Sequence, residues 1–442
     1  MGRRRKRNGR GFELRLQGRT ARLAGVGFGL LLLAATIGCV LYAGDDTPSA
    51  DPEAPPERSR PTPLDSLDRI EGWVPYWGDE AKIAAEAREA GFTDLLFFHG
   101  SVAADGAVKL EDENGLAKGL AAAGNLRRWL TVTNHGGSLE TPLSAAGMDQ
   151  HVESLLAAFA RSGCDHLDLD YESLGTSQAE ALLTLAEKIS PRLPEGARLS
   201  LTLQPVDSRL RPDQRGAYRR LLESRDVYTV RLMMYDYHWR GSLPGALYPL
   251  PAFLRLLEQW SAHSHKLTLC LPLYGYDWPR PADTTLPRAD VVTLREVKAL
   301  ADKPGFDAAW MEQEGELAAR YGTRMAALPS LRAIQARVEL GLDWGVPAVS
   351  FWQLGCAELA PVRAACARGV EPREAIRYDS GESWDDWLLP YKRRVCKVIV
   401  ADGSQTLEEL ADAHGVPRAT MYRFNEHLED GDLRDRPVFI PK

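Results

Sequence analysis

Asp168, Asp170 and Glu172 alternate with Leu169 and Tyr171 in the stretch 165–172, which reads Asp-His-Leu-Asp-Leu-Asp-Tyr-Glu. A strand turns successive side chains to opposite faces, so the three acids share one face at about 6.6 Å per step. Leu167, Leu169 and Tyr171 take the other face. Burying carboxylates so close together costs several kcal/mol unless they share protons or find partners. Two bland alternatives are an exposed edge strand with a solvated acidic face and a hard-cation site built from the carboxylates. The flanking apolar residues point instead to a buried strand. That favours a carboxylate array whose terminal acid, its pKa raised, donates a proton.

Such an array needs a scaffold. Between residues 67 and 390, short apolar runs alternate with helical patterns, the mark of strand–helix units around a parallel sheet. Eight strands are expected, over 72–76, 94–98, 129–133, 166–170, 199–203, 230–234, 267–271 and 348–352. Amphipathic stretches such as 148–162 and 176–189 lie between them. This α/β pattern fits a (β/α)8 TIM barrel, in which chemistry sits at the C-terminal ends of the strands. Glu172 follows the fourth strand directly. The other strand ends bring Tyr76 and Trp77, His99, Asn134 and His135, Tyr235 to Trp239, Tyr274 and Tyr276, and Phe351-Trp352-Gln353. Any one aromatic ring there could be packing. Rings such as Tyr76 and Tyr274 around one acid cluster suit the C–H faces of sugars, and amides such as Asn134 and Gln353 suit their hydroxyls.

These residues carry a resemblance. Asp165-x-x-Asp168-x-Asp170-x-Glu172 resembles the DxxDxDxE signature of family 18 glycoside hydrolases, the chitinase-like barrels. Met233-x-Tyr235-Asp236, Leu271-Pro272-Leu273-Tyr274-Gly275 and Ser350-Phe351-Trp352-Gln353 resemble that family's motifs on strands six, seven and eight. The likeness spans about residues 70–370 and is nearest to bacterial cell-wall and spore-cortex N-acetylglucosaminidases. One position departs from the signature: His166 stands where glycine is usual.

The resemblance implies substrate-assisted catalysis, an exception to the two-carboxylate scheme. Glu172 would protonate the glycosidic oxygen, and the 2-acetamido oxygen of the substrate would be the nucleophile. Asp170 would orient the acetamido N–H and Asp168 would modulate Asp170. Tyr235 would hydrogen-bond the acetamido group, Asp236 would help hold a distorted sugar, and Trp352 would form the floor. The implied substrate is an N-acetylglucosamine-containing polymer, peptidoglycan first and chitin next. No metal and no cofactor is expected. Rival classes are a catalytically silent sugar-binding barrel and a metal hydrolase using His99, His135 and His238; Glu172 speaks against the first, and the absence of paired, metal-spaced histidines against the second.

The ends of the 442-residue chain differ in character. Residues 1–22 are basic, and the uncharged run 23–43 is long enough to span a bilayer, so an uncleaved signal anchor with everything after it outside the membrane is expected. A cleaved signal peptide, giving a secreted protein, and a lipoprotein signal at Cys39 are the rivals. The proline-rich stretch 44–66 reads as a tether. Of the later cysteines, Cys356 and Cys366 could pair, while Cys164 and Cys270 read as small buried hydrophobes. Residues 391–442 show a βααβ order similar to a LysM module, carried by Gly403-x-x-Thr406-Leu407, Ala411-x-x-x-Gly415-Val416 and Asn425. That likeness implies binding of the same class of glycan. A generic small helical hairpin and a helix-turn-helix DNA reader over 411–422 are the alternatives there, and the modest acidic balance with no basic face gives no support for nucleic acid.

Overall fold

The computed structural model describes residues 61–442, apart from 136, 207–211, 280–287, 381–382, 426–427, 429–432 and 435. In chain order its first strands are β1 (Arg69–Pro75), β2 (Asp94–Val102), β3 (Val108–Leu110), β4 (Arg127–Thr133), β5 (His166–Asp170), β6 (Leu199–Leu203), β7 (Thr229–Met233) and β8 (Leu267–Pro272). The chain continues through β9 (Tyr274–Pro279), β10 (Asp290–Thr293), β11 (Asp307–Met311), β12 (Glu316–Tyr321), β13 (Arg324–Leu328), β14 (Ala348–Trp352) and β15 (Asp379–Ser380). It closes with β16 (Cys396–Val400) and β17 (Pro437–Pro441).

Parallel pairing runs β1-β14-β8-β7-β6-β5-β4-β2, and β2 pairs back to β1, so the sheet closes into an eight-stranded barrel. The antiparallel hairpin strand β3 lies outside the ring, on β2. All eight expected strands are present in the expected order, with boundaries moved by a few residues. Their outward faces carry Leu95, Leu130, Leu167, Leu169, Leu201 and Leu269, which join one large apolar core beneath the helices. Helix Met148–Ser162 buries Val152, Leu155, Ala158 and Phe159 on one stripe and ends at Gly163, whose φ of 72° suits a residue without a Cβ. Helix Thr176–Ile189 buries Leu182, Leu185, Ala186 and Ile189 in the same way.

The segment between the seventh and eighth barrel strands contributes most of a second sheet. Its order is β10-β9-β13-β12-β11-β15. The cause lies in a period-two pattern: Ala308 with Trp310, Leu317 with Ala319, and Ala326 with Leu328 share one buried cluster. Gly315 at φ 62° and Gly322 at φ 49° turn the hairpins. β9 leaves the barrel immediately after β8, so Tyr274 and Tyr276 stand where the two sheets meet. Glu316 on β12 accepts the backbone N–H of Leu247 and Tyr248 at 2.7 and 2.9 Å and is paired with Arg337 at 2.7 Å. This pins the far end of the loop that begins at Tyr235.

Helix Trp384–Val395 crosses residue 390 and leads into β16. Helices Leu407–His414 and Arg418–Phe424 then precede β17, which pairs antiparallel with β16. Thr406 and Glu409 form a capping box, and Gly415 ends the first helix at φ 65°. Asn425 is fully buried; its amide donates to the carbonyls of Met421 and Phe439, and its oxygen accepts the Phe439 N–H at 2.7 Å. It thereby ties the second helix to the closing strand.

Two expectations need correction. Cys356 and Cys366 are free thiols, as are Cys164, Cys270 and Cys396. A single-pass membrane location is not upheld: no helix among the described residues is long and apolar enough to cross a membrane, and the segment 23–43 lies outside the described residues.

Candidate active site

The parallel register decides which side chains meet inside the barrel. Asp168 on β5 lies level with Thr131 on β4 and Ser200 on β6, and Thr202 lies level with Arg231 on β7. Asp168 is fully buried. Its Oδ1 accepts from Ser200 at 2.7 Å, Thr202 at 3.1 Å and Arg231 Nη1 at 3.0 Å, while Oδ2 accepts from Thr131 at 3.1 Å and Thr202 at 3.0 Å. Arg231 Nε donates to Glu71 at 2.8 Å, and Arg69 Nε donates to the other Glu71 oxygen, also at 2.8 Å. The guanidinium of Arg231 lies 4.6 Å from the Trp129 ring. Two cations and two anions therefore alternate through the barrel floor. Burial pushes the Asp168 carboxyl above the ordinary range, against the pull of Arg231 and the three hydroxyls.

One step up the strand, Asp170 is buried, and its Oδ1 has no hydrogen-bond partner among the described residues. Burial, then the neighbouring Glu172 and Asp168, holds its pKa well above the usual carboxylate range. Glu172 lies beyond the strand end. Its pKa is also raised, by burial first and the charge of Asp236 second, with an opposing hydrogen bond from Gln204 at 3.4 Å. Between the acids, Tyr171 points into the helix layer, where its hydroxyl meets His151 Nε2 at 2.6 Å. His151 Nδ1 lies 2.7 Å from the Gly106 carbonyl, which can only accept, so Nε2 accepts from Tyr171.

Strand ends turn sharply around these acids. His135, Ser173 and Asp236 have φ of 45°, 58° and 58°, values uncommon outside glycine that collect at functional sites. Asn134 clasps the turn after the array: Oδ1 accepts the Glu172 N–H at 3.0 Å, and Nδ2 donates to the carbonyls of Glu172 and Gly137 at 3.2 and 2.7 Å. Its amide is thus engaged with main chain.

Tyr235 packs edge-on to Tyr274 with centroids 6.1 Å apart, and burial together with nearby acids keeps its phenol protonated. The Tyr274 and Tyr276 hydroxyls donate to Asp236 Oδ1 at 2.5 and 3.0 Å, so Tyr274 holds an acid as well as lining the site. Trp352 packs edge-on against Phe98 at 4.9 Å, Trp73 at 5.8 Å and Trp77 at 6.2 Å. Tyr76 meets Trp77 at 4.9 Å, and Trp77 is 54% exposed. Gln353 Oε1 accepts the Gly355 N–H at 2.7 Å and caps the short turn Leu354–Cys356.

The structure therefore gathers Asp168, Asp170, Glu172, Tyr235, Asp236 and Tyr274 into one polar cluster, with Trp352 and Tyr76 in one connected group of aromatic rings. Sequence reasoning missed Gln204, Arg231, Glu71, Thr131, Ser200 and Thr202. A signal existed for several of them: polar residues recur with period two on β4, β6 and β7 at positions that face the acids. Asn134→Ala would leave the Glu172 N–H unpaired. It should cost about 1–3 kcal/mol in denaturant unfolding, and unchanged stability would remove the clasp.

No family model matches the chain. It is 25% identical over 293 residues to a cortical fragment-lytic enzyme of Bacillus anthracis, covering 62% of this chain and 67% of that protein. The crystal structure of the Bacillus cereus spore cortex-lytic enzyme SleL is similar at a TM-score of 0.60 and 21% identity, over 73% of this chain and 77% of that one. A chitinase from Chromobacterium violaceum is similar at a TM-score of 0.56 and 17% identity, over 69% and 99%. Closed barrel and relatives agree: the chain is a glycosidase, similar to the cortex-lytic enzymes and to chitinases with the same barrel.

Proposed function

We propose that the protein hydrolyses β-1,4 bonds after N-acetylglucosamine in peptidoglycan by substrate-assisted catalysis. The observation that carries the reading is the buried array, in which an Asp170 oxygen without a partner among the described residues lies between an ion-paired Asp168 and a Glu172 of raised pKa. A carboxylic acid that keeps its proton near neutrality can protonate a leaving oxygen. In this reading Glu172 gives its proton to the glycosidic oxygen as that oxygen parts from C1, and the acetamido carbonyl oxygen closes on C1. The oxazolinium that results carries the positive charge, and Asp170 accepts the acetamido N–H and stabilises it. Glu172, now a carboxylate, takes a proton from water as the water opens the ring. Tyr235 donates to the acetamido group, Asp236 holds the sugar from the opposite wall, and Trp352 and Tyr76 offer rings for stacking. Asn134 acts by positioning Glu172.

The relatives' names, cortical fragment-lytic and cortex-lytic, favour peptidoglycan as the polymer. The closing unit at 391–442 is read as a LysM-like glycan-binding module beside a catalytic barrel at 67–390.

Glu172→Gln should lower turnover of purified peptidoglycan by at least about a hundredfold while binding persists. Mass spectrometry of wild-type digests should find N-acetylglucosamine at the new reducing ends. Release from chitin oligomers alone would make chitin the substrate, and near-normal turnover by the variant would remove Glu172 from the acid role. A pH profile gives a second check. Glu172 must be protonated to act, and the Asp236 charge helps hold its pKa up. Asp236→Asn should therefore move the alkaline limb of kcat/KM to lower pH, whatever it does to the maximum; a limb that stays or rises contradicts the coupling. Removing residues 391–442 should weaken retention on insoluble peptidoglycan more than it slows a small soluble substrate, and equal losses on both would give the unit a purely structural part.

A further inference from the structure

Two of the three hydroxyls at Asp168, those of Ser200 and Thr131, are oriented by their other neighbours. Arg231 has only N–H groups, so where it meets Ser200 Oγ it donates, and the Ser200 proton is left for Asp168. Trp73 Nε1 likewise donates to Thr131 Oγ1 at 3.2 Å, which turns the Thr131 proton toward Asp168. Thr202 supplies a third hydroxyl, reaching both oxygens, and Arg231 itself a fourth donor. Donors thus reach both oxygens of Asp168, and together with the Arg231 charge they oppose the upward pull of burial on its carboxyl. Asp170, with one oxygen bare of partners among the described residues, is the opposite case.

We propose that Arg231, held in place by Glu71, is a positioning residue that fixes Asp168 as a permanent carboxylate, so that the proton of the array is confined to Asp170 and Glu172. The charged and titratable groups around this pair are Arg69 and Glu71 on β1, Asp170 on β5 and Cys270 on β8, with His166 of β5 against the same Trp129 ring as Arg231. Arg69 and Glu71 neutralise one another, and desolvation keeps the His166 imidazole neutral and the Cys270 thiol protonated. Arg231 is therefore the one cation among these groups in direct contact with the array. Its Glu71 contact matters because it anchors the guanidinium from the side opposite Asp168. The functional consequence rests on the glycosidase reading above: an Asp170 that cannot pass its proton down to Asp168 shares it only with Glu172, the acid that must be charged with a proton before each turnover.

The test reads protonation directly and needs no substrate, so its failure and that of the glycosidase reading are separable. In the full chain labelled with carboxyl-13C aspartate, the resonance lost in Asp168→Asn identifies Asp168. It should hold its carboxylate position between about pH 6 and pH 8, and a titration step within that range overturns the proposal. Infrared difference spectra of variants supply the second arm. Arg231→Met should gain one protonated-carboxyl band near neutral pH, which is absent from Arg231→Lys and from the double variant Arg231→Met/Asp168→Asn. No gained band in folded Arg231→Met, or a band that survives in the double variant, overturns it. Should Arg231→Met fail to fold, the wild-type titration still decides.

Discussion

Three acids on one face of a buried strand can coexist only if their charges are answered, and the ion pair between Arg231 and Asp168 is the answer on which this site depends. Both side chains are fully buried, and the pair is extended through Glu71 to Arg69. Removing one partner of such a pair typically costs about 3–5 kcal/mol, because the other charge is stranded. With Asp168 paired from below, Asp170 and Glu172 keep raised pKa values, Asp170 by burial and then the charges of Glu172 and Asp168, Glu172 by burial and then the charge of Asp236. A raised pKa is the property a proton donor needs. A stability problem at the barrel floor and a catalytic property at its mouth are thus two ends of one electrostatic column.

The walls of the site follow from the same economy of position. Parallel register sets Thr131 and Ser200 at the level of Asp168 and Thr202 one step above, at the level of Asp170, and all three hydroxyls reach the Asp168 carboxylate. Above them, left-handed residues at the ends of β4, β5 and β7 bend the chain away, and Asn134 secures the bend that carries Glu172. The second sheet adds the remaining wall. Because β9 starts almost where β8 stops, its first residues deliver two tyrosine hydroxyls to Asp236, and the Asp236 charge then bears on Glu172. Barrel, loop and inserted sheet each contribute one part of a single acid's protonation.

Much of this was legible beforehand. Alternation at 165–172 gave the acids one face, and the apolar runs located all eight barrel strands, because parallel buried strands leave a dense hydrophobic signal. The βααβ order of the tail was legible through Thr406 and Gly415, residues whose local geometry is fixed by their own chemistry. Contacts between strands distant in sequence were not. Nothing local marks Arg231 as the partner of Asp168, since the two meet only through barrel closure, and Asn134 looked like a sugar-facing amide until the turn after Glu172 was seen to require it. The inserted sheet was not read from the sequence: its strands are short and rich in alanine, a residue with little strand preference of its own. The expected membrane span fell on residues 23–43, where composition alone had to carry the reading.

The central claim is that Glu172 and the substrate's own acetamido oxygen act together above an ionised Asp168. Two successive displacements at C1 restore its starting configuration, whereas direct attack by water inverts it. Proton NMR of the first hemiacetal released from a β-linked N-acetylglucosamine oligomer or muropeptide, followed before mutarotation, tests this most directly. The account predicts that the β-anomer appears first. An initial α-anomer would contradict it.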